Sequence, residues 1–199
     1  MASTMRFDNW QTTDGTSIAT TNASGDITFA GAVAGAGKIL QVVSTTKTTA
    51  FSASVAQGAS TAVTGLSVNI TPSSASSTIL VMGQVNASSD GPSEAPVVIL
   101  TRDGTAICIG DAAGSRSQGT SGSGYTSSAT GYKESPYSIG ILYADSPATT
   151  STTTYAVEIG HTFFGGSAGV FVNTGPNTAL DRSDVWRTTS TITVMEVSA

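Results

Sequence analysis

The chain is poor in charge and in reactive side chains. Of its 199 residues only 11% are Asp, Glu, Lys or Arg, 7% are aromatic, and there is one cysteine and one histidine. An average soluble protein carries about 25% charged residues, so hydroxyl groups must supply most of the solvation here. The single Cys108 excludes an internal disulfide and any multi-cysteine metal site. The single His161 excludes paired-histidine ligand motifs, and no Gly-x-Ser-x-Gly elbow or phosphate-binding loop is present. Lys38, Lys47, Lys133 and the arginines are scattered along a chain of net charge -5. Nucleic acid binding needs clustered cations to displace counterions, so no nucleic acid partner is expected. No apolar run is long enough to span a membrane as a helix. The first ten residues lack the apolar segment of a signal peptide, and synthesis in a reducing cytoplasm is expected. Tripeptides beginning at Asn22, Asn69 and Asn86 fit the glycosylation pattern, but in a chain this rich in Ser and Thr they read as chance.

What is present is a succession of short β-branched runs separated by Ser, Thr, Gly and Ala. Lys38 to Ser44 opens the series. Leu66 to Ile70 alternates strictly, with Leu66, Val68 and Ile70 on one face and Ser67 and Asn69 on the other. Ile79 to Met82 and Pro96 to Leu100 are continuous apolar runs, as in central strands or strands covered by a neighbouring subunit. Asp103-Gly104 supplies the two positive-φ positions of a type I′ turn, which predicts a hairpin from Val97 to Ile109. Strands resume at Tyr137 to Tyr143, Tyr155 to His161, Gly169 to Val172 and Ser190 to Val197. The pattern predicts an all-β fold, an antiparallel jelly-roll-like sandwich of about nine or ten strands with an extended N-terminal arm. Residues 1–37 form the anchoring arm and its Gly/Ala linker, and residues 38–199 the β-sandwich knob.

Candidate functional residues are few. Phe7 and Trp10 are bulky aromatics on an arm that cannot bury them alone, and they are expected to dock on a partner. Residues 110–134 make a long Gly/Ser-rich insertion whose Tyr125 and Tyr132 offer stacking surfaces. His161 ends an alternating strand and reads as a buried or interfacial imidazole rather than a base or ligand, with nothing nearby to complete a dyad. Cys108 reads as a small buried hydrophobe within a strand. Asp181 and Asp184 are too few for a cation site, and no metal or cofactor is expected. Glu196 shares a strand face with Ile192 and Val194, so the strand bulges, the carboxylate turns inward or it lies exposed at a fraying end; if buried it needs a partner such as Arg182 or Arg187.

Four segments carry a family likeness: Trp10 to Thr16, Gly37 to Lys47, Val63 to Ser74 and Ser77 to Gly83, with Ser190 to Val197 closing the series. Together they resemble small virion proteins of marine and cyanobacterial tailed phages. The resemblance implies a non-enzymatic virion surface protein, a homotrimeric fibre or decoration knob docked on capsid or tail proteins through its N-terminal arm. A host-receptor or glycan-binding tail fibre knob is the alternative, and a glycan depolymerase is disfavoured because supported carboxylate pairs are not visible.

Overall fold

A computed structural model describes residues 9–11, 17–22, 24, 27–29, 37–90, 95–123, 135–162, 166–177, 183 and 185–199. The described residues form strands and turns, with no helix among them. The chain divides into two compact units, Met1–Gly37 and Lys38–Ala199.

In the first unit β1 (Asn9–Gln11), β2 (Ser17–Thr21) and β3 (Ile27–Phe29) pair antiparallel in the order β1-β2-β3. The sequence suggested an extended arm, whereas the described strands of this segment pair with one another in a small sheet. Ile18, Thr20, Thr21 and Ile27 supply the strand propensity, and the turn formers Asp14-Gly15 and Gly25-Asp26 separate the runs.

The second unit contains β4 (Ile39–Lys47), β5 (Phe51–Ala56), β6 (Ser60–Ile70), β7 (Thr78–Ser89), β8 (Pro96–Arg102), β9 (Thr105–Ile107), β10 (Ser121–Gly122), β11 (Tyr137–Asp145), β12 (Thr153–His161), β13 (Ser167–Val172) and β14 (Ser190–Val197). They form two antiparallel sheets. In the larger sheet β7 is the spine. β11 runs along one of its edges, from Tyr137↔Ala87 to Asp145↔Ile79. Its other edge is shared: β14 pairs with Thr78 to Gln84 and β13 with Ala87 to Ser89, and β4 and β5 lie outside β14 and β13. The smaller sheet runs β6-β12-β8, with β9 and β10 both on the far edge of β8. The continuous apolar runs at Ile79 and Pro96 thus lie in β7 and β8, strands paired on both edges, as expected of central strands.

Alternation places the core. Leu66, Val68 and Ile70 of β6 point inward, as do Ile79 and Val81 of β7, Val98 and Leu100 of β8, Tyr155, Val157 and Ile159 of β12, and Ile192 and Val194 of β14. All are buried in one cluster between the two sheets. Each such side chain contributes about 1.5–3 kcal/mol relative to exposure. The expected hairpin forms over Leu100 to Ile107, shorter than the Val97 to Ile109 span read from the sequence, around Asp103 (φ 50°) and Gly104 (φ 79°), and the Asp103 carboxylate and amide clasp Thr154 of β12 at 2.8 and 2.9 Å. β6 bulges between its pairings Ala62↔Glu158 and Ser67↔Ala156, with Gly65 at φ 80°. The bulge bends β6 onto β4, β5 and β14 of the facing sheet, which curls the assembly into a half-barrel.

Gly160 marks a close backbone approach between β12 and the start of β6, since a Cβ there would lie 2.7 Å from the Ala59 carbonyl oxygen. Gly160→Ala is expected to lower stability by about 1–3 kcal/mol, read as an earlier thermal transition. Gly140→Ala, whose Cβ meets nothing within 4 Å, is the control and should melt with the native chain. Equal melting of the two variants would show that the approach is not tight.

Candidate functional site

The polar groups inside this fold sit where strand pairing leaves backbone groups or sheet ends without partners. At one end of the core, Asp145 of β11 is buried and accepts from both partners in the facing sheet. Arg102 Nη1 donates to its two oxygens at 2.9 Å, and the Tyr155 hydroxyl donates to Oδ2 at 2.6 Å. Burial, reinforced by the hydrogen bond to Asp145, pushes the Tyr155 hydroxyl pKa well above its ordinary value. The hydrogen bond to Asp145 raises that of Arg102. Tyr155 therefore stays protonated and Arg102 charged, and the three groups bind the two sheets together. At the other end of β12, the buried His161 lies with Nε2 2.7 Å from the Val55 carbonyl of β5. β12 is thus fastened to the facing sheet at both ends.

A second cluster fills the gap where β7 passes from β14 to β13. Asn173 adopts a left-handed conformation (φ 62°), which asparagine tolerates better than most residues. Its backbone amide donates to Asn86 O at 2.8 Å, its side-chain amide to Lys47 O at 2.8 Å and Thr49 O at 3.1 Å. Its side-chain oxygen accepts from Ser190 Oγ at 2.6 Å, and that hydroxyl accepts from Asn86 N at 2.9 Å. The Asn86 amide group is itself buried and donates to Thr189 O. This tripeptide is therefore interior, in keeping with a chance match to the glycosylation pattern.

Glu196 is the most constrained carboxylate. Alternation along β14 turns it inward, and a register shift follows it at Val197. It is fully buried and accepts from Gln41 Nε2 at 2.6 Å, Ser73 N at 2.7 Å, Ser73 Oγ at 2.6 Å and Ser77 Oγ at 2.7 Å. Burial pushes its pKa up, but the hydrogen bonds from Ser73, Gln41 and Ser77 outweigh burial and hold it at about 2, against an ordinary 4.5. The inward orientation weighed from the sequence is correct, and the donors that reach the carboxylate among the described residues are neutral, from β4 and the β6–β7 turn, with Arg187 not one of them. Arg182 lies outside the described residues.

The other expected residues fall as follows. Trp10 is on β1, paired with Ala19. Phe7, Tyr125, Tyr132, Asp181 and Asp184 lie outside the described residues. Cys108 is not a buried strand residue. It follows the end of β9 in a left-handed conformation (φ 53°) and is half-buried, because the strand stops at Ile107. Residues 120–123 of the insertion are tied to β8: Thr120 N donates to Val98 O, Ser123 N to Pro96 O, and Leu100 N to Thr120 Oγ1. Sequence reasoning missed the Asn86–Asn173–Ser190 cluster and the exposed Trp186 and Leu142. Polar residues inside an otherwise apolar strand, as at Asn86 to Ser89, were the available signal for the first.

Chemically, these groups hold rather than react. The Glu196 and Asp145 carboxylates have their oxygens engaged by interior donors, and a carboxylate with a pKa of about 2 is a weak base at neutral pH. Among the described residues no cluster of His, Cys, Asp and Glu has the makings of a metal site. No protein-family model matches the chain, and no curated protein shows significant similarity to it.

The depressed Glu196 pKa fixes a pH dependence. A carboxyl that ionises more readily folded than unfolded adds stability above the unfolded value of 4.5, and that stability is lost as pH falls from there through about 2. Denaturant midpoints measured across this window should fall with acidification in the native chain and change less in Glu196→Gln. Parallel profiles for the two would remove Glu196 as a source of acid sensitivity.

Proposed function

We propose that this chain is a non-enzymatic structural protein of a phage virion surface, a homotrimeric fibre or decoration knob of jelly-roll type. The observation that carries the proposal is strand order. Taking β4, β6, β7, β8, β9, β11, β12 and β14 as the eight principal strands, one sheet reads first-eighth-third-sixth and the other second-seventh-fourth-fifth. That is the order generated by folding two Greek keys over one another, an architecture used by viral capsid proteins and also by lectins. On this reading β5, β10 and β13 are additions to the frame.

Fold analogy alone does not fix function, and two further features support an assembly role. The buried carboxylates are consumed in fastening the sheets, and the likeness of Gly37 to Lys47, Val63 to Ser74 and Ser77 to Gly83 to phage virion proteins falls on β4, β6, the β6–β7 turn and β7 of the frame. Residues 1–37, a separate compact unit, are assigned as the segment that docks on capsid or tail proteins. The knob then projects from the particle.

A chain reduced to residues 38–199 is expected to retain a β-type circular dichroism spectrum and to be missing from purified particles, while the full chain is found in them at constant copy number. Normal incorporation of the shortened chain would remove the docking role of residues 1–37. Absence of the full chain from particles would overturn the virion assignment itself.

A further inference from the structure

The outer face of the larger sheet differs from an ordinary solvated face. Its four adjacent strands β4, β14, β7 and β11 carry three charged residues, Lys47, Glu196 and Asp145, and all three are buried. The outward positions are left to apolar and neutral side chains. Register places Val42, Met195 and Leu80 in one row across three strands, and Met82 beside Leu142 in the next. Leu40 extends the patch along β4. Leu142 is 71% exposed and Val42 54%, although both are aliphatic. Hydroxyl pairs complete the face, Ser44 with Thr193 at 2.8 Å and Thr46 with Thr191 at 3.0 Å.

We propose that this face packs against the same face of other copies of the chain. The inference rests on reading the protein as an assembly subunit and names the surface that assembly uses. Charge argues for a second copy as the occupant. The chain carries a net charge of -5, so copies repel except through a surface from which charge has been removed, and self-contact here strands no ion away from water. Area agrees. Four strands about 4.8 Å apart and about 25 Å long make a face of roughly 500 Å², so two such faces bury about 1,000 Å² or more, enough for a specific interface.

Light scattering on the full chain after size exclusion, at micromolar concentration, tests the proposal. The native chain should elute as a homo-oligomer. Leu142→Asp and Val42→Asp should each weaken association roughly a hundredfold or more, by placing like charges face to face, with unchanged circular dichroism. Ser67→Asp, on the exposed face of the smaller sheet, should leave the mass unchanged. If an aspartate variant fails to fold, Leu142→Ser removes the apolar contact without adding charge and should still weaken association. A monomeric native chain, or an oligomer that survives in both folded aspartate variants, overturns the interface. A monomeric chain that is nonetheless found in particles overturns this inference and leaves the virion assignment standing, whereas a face-dependent oligomer that is missing from particles does the reverse.

Discussion

The insertion of β14 between β4 and β7 is the constraint on which the larger sheet depends. Residues near opposite ends of the second unit meet there: Val197 pairs with Ile39 on one side and Thr78 on the other, and Ser198 N donates to Lys38 O at 2.9 Å. Without this strand, β4 has no sheet partner and β7 loses half of one edge. The same strand brings Ile192 and Val194 into the core and Glu196 under the β6–β7 turn. Contacts this distant in sequence carry a loop-closure cost before they gain any burial, so a fold closed in this way folds more slowly than one built from local contacts.

The polar interior follows from that closure. Where β7 exchanges β14 for β13 its backbone groups at Asn86 lack a strand partner, and Asn173 and Ser190 supply the missing donor and acceptor. Where the two sheets face each other at their ends, Tyr155, Arg102 and Asp145 on one side and His161 on the other link strands that share no backbone ladder. Buried polar groups left unpaired would each cost about 1–3 kcal/mol. Their saturation by neighbouring strands is the reason they fix registry and sheet alignment, and it leaves them little capacity for chemistry.

The two faces of the larger sheet divide the labour of the chain. Lys47, Asp145 and Glu196 spend their charge on the inner side, and the outer side is built of aliphatic and hydroxyl residues. A protein with so few charges could have distributed them outward for solubility. Turning these three inward engages them in interior hydrogen bonds and leaves the outer face of these strands neutral.

The sequence by itself determined the all-β class, the central character of the Ile79 and Pro96 runs, the inward set at Leu66, Val68 and Ile70 and the Asp103-Gly104 hairpin. Each depends on local rules, namely side-chain alternation with period two and the positive φ demanded by a two-residue turn. The inward course of Glu196 was also among the readings that alternation offered. Only the tertiary structure decided what met it there, since Gln41, Ser73 and Ser77 come from distant strands and turns that no spacing along β14 reveals. The pairing of β1, β2 and β3 as a small sheet, the end of β9 before Cys108 and the attachment of residues 120–123 to β8 were likewise hidden. Edge pairing depends on which strands lie side by side, a property of the assembled sheets rather than of any one segment.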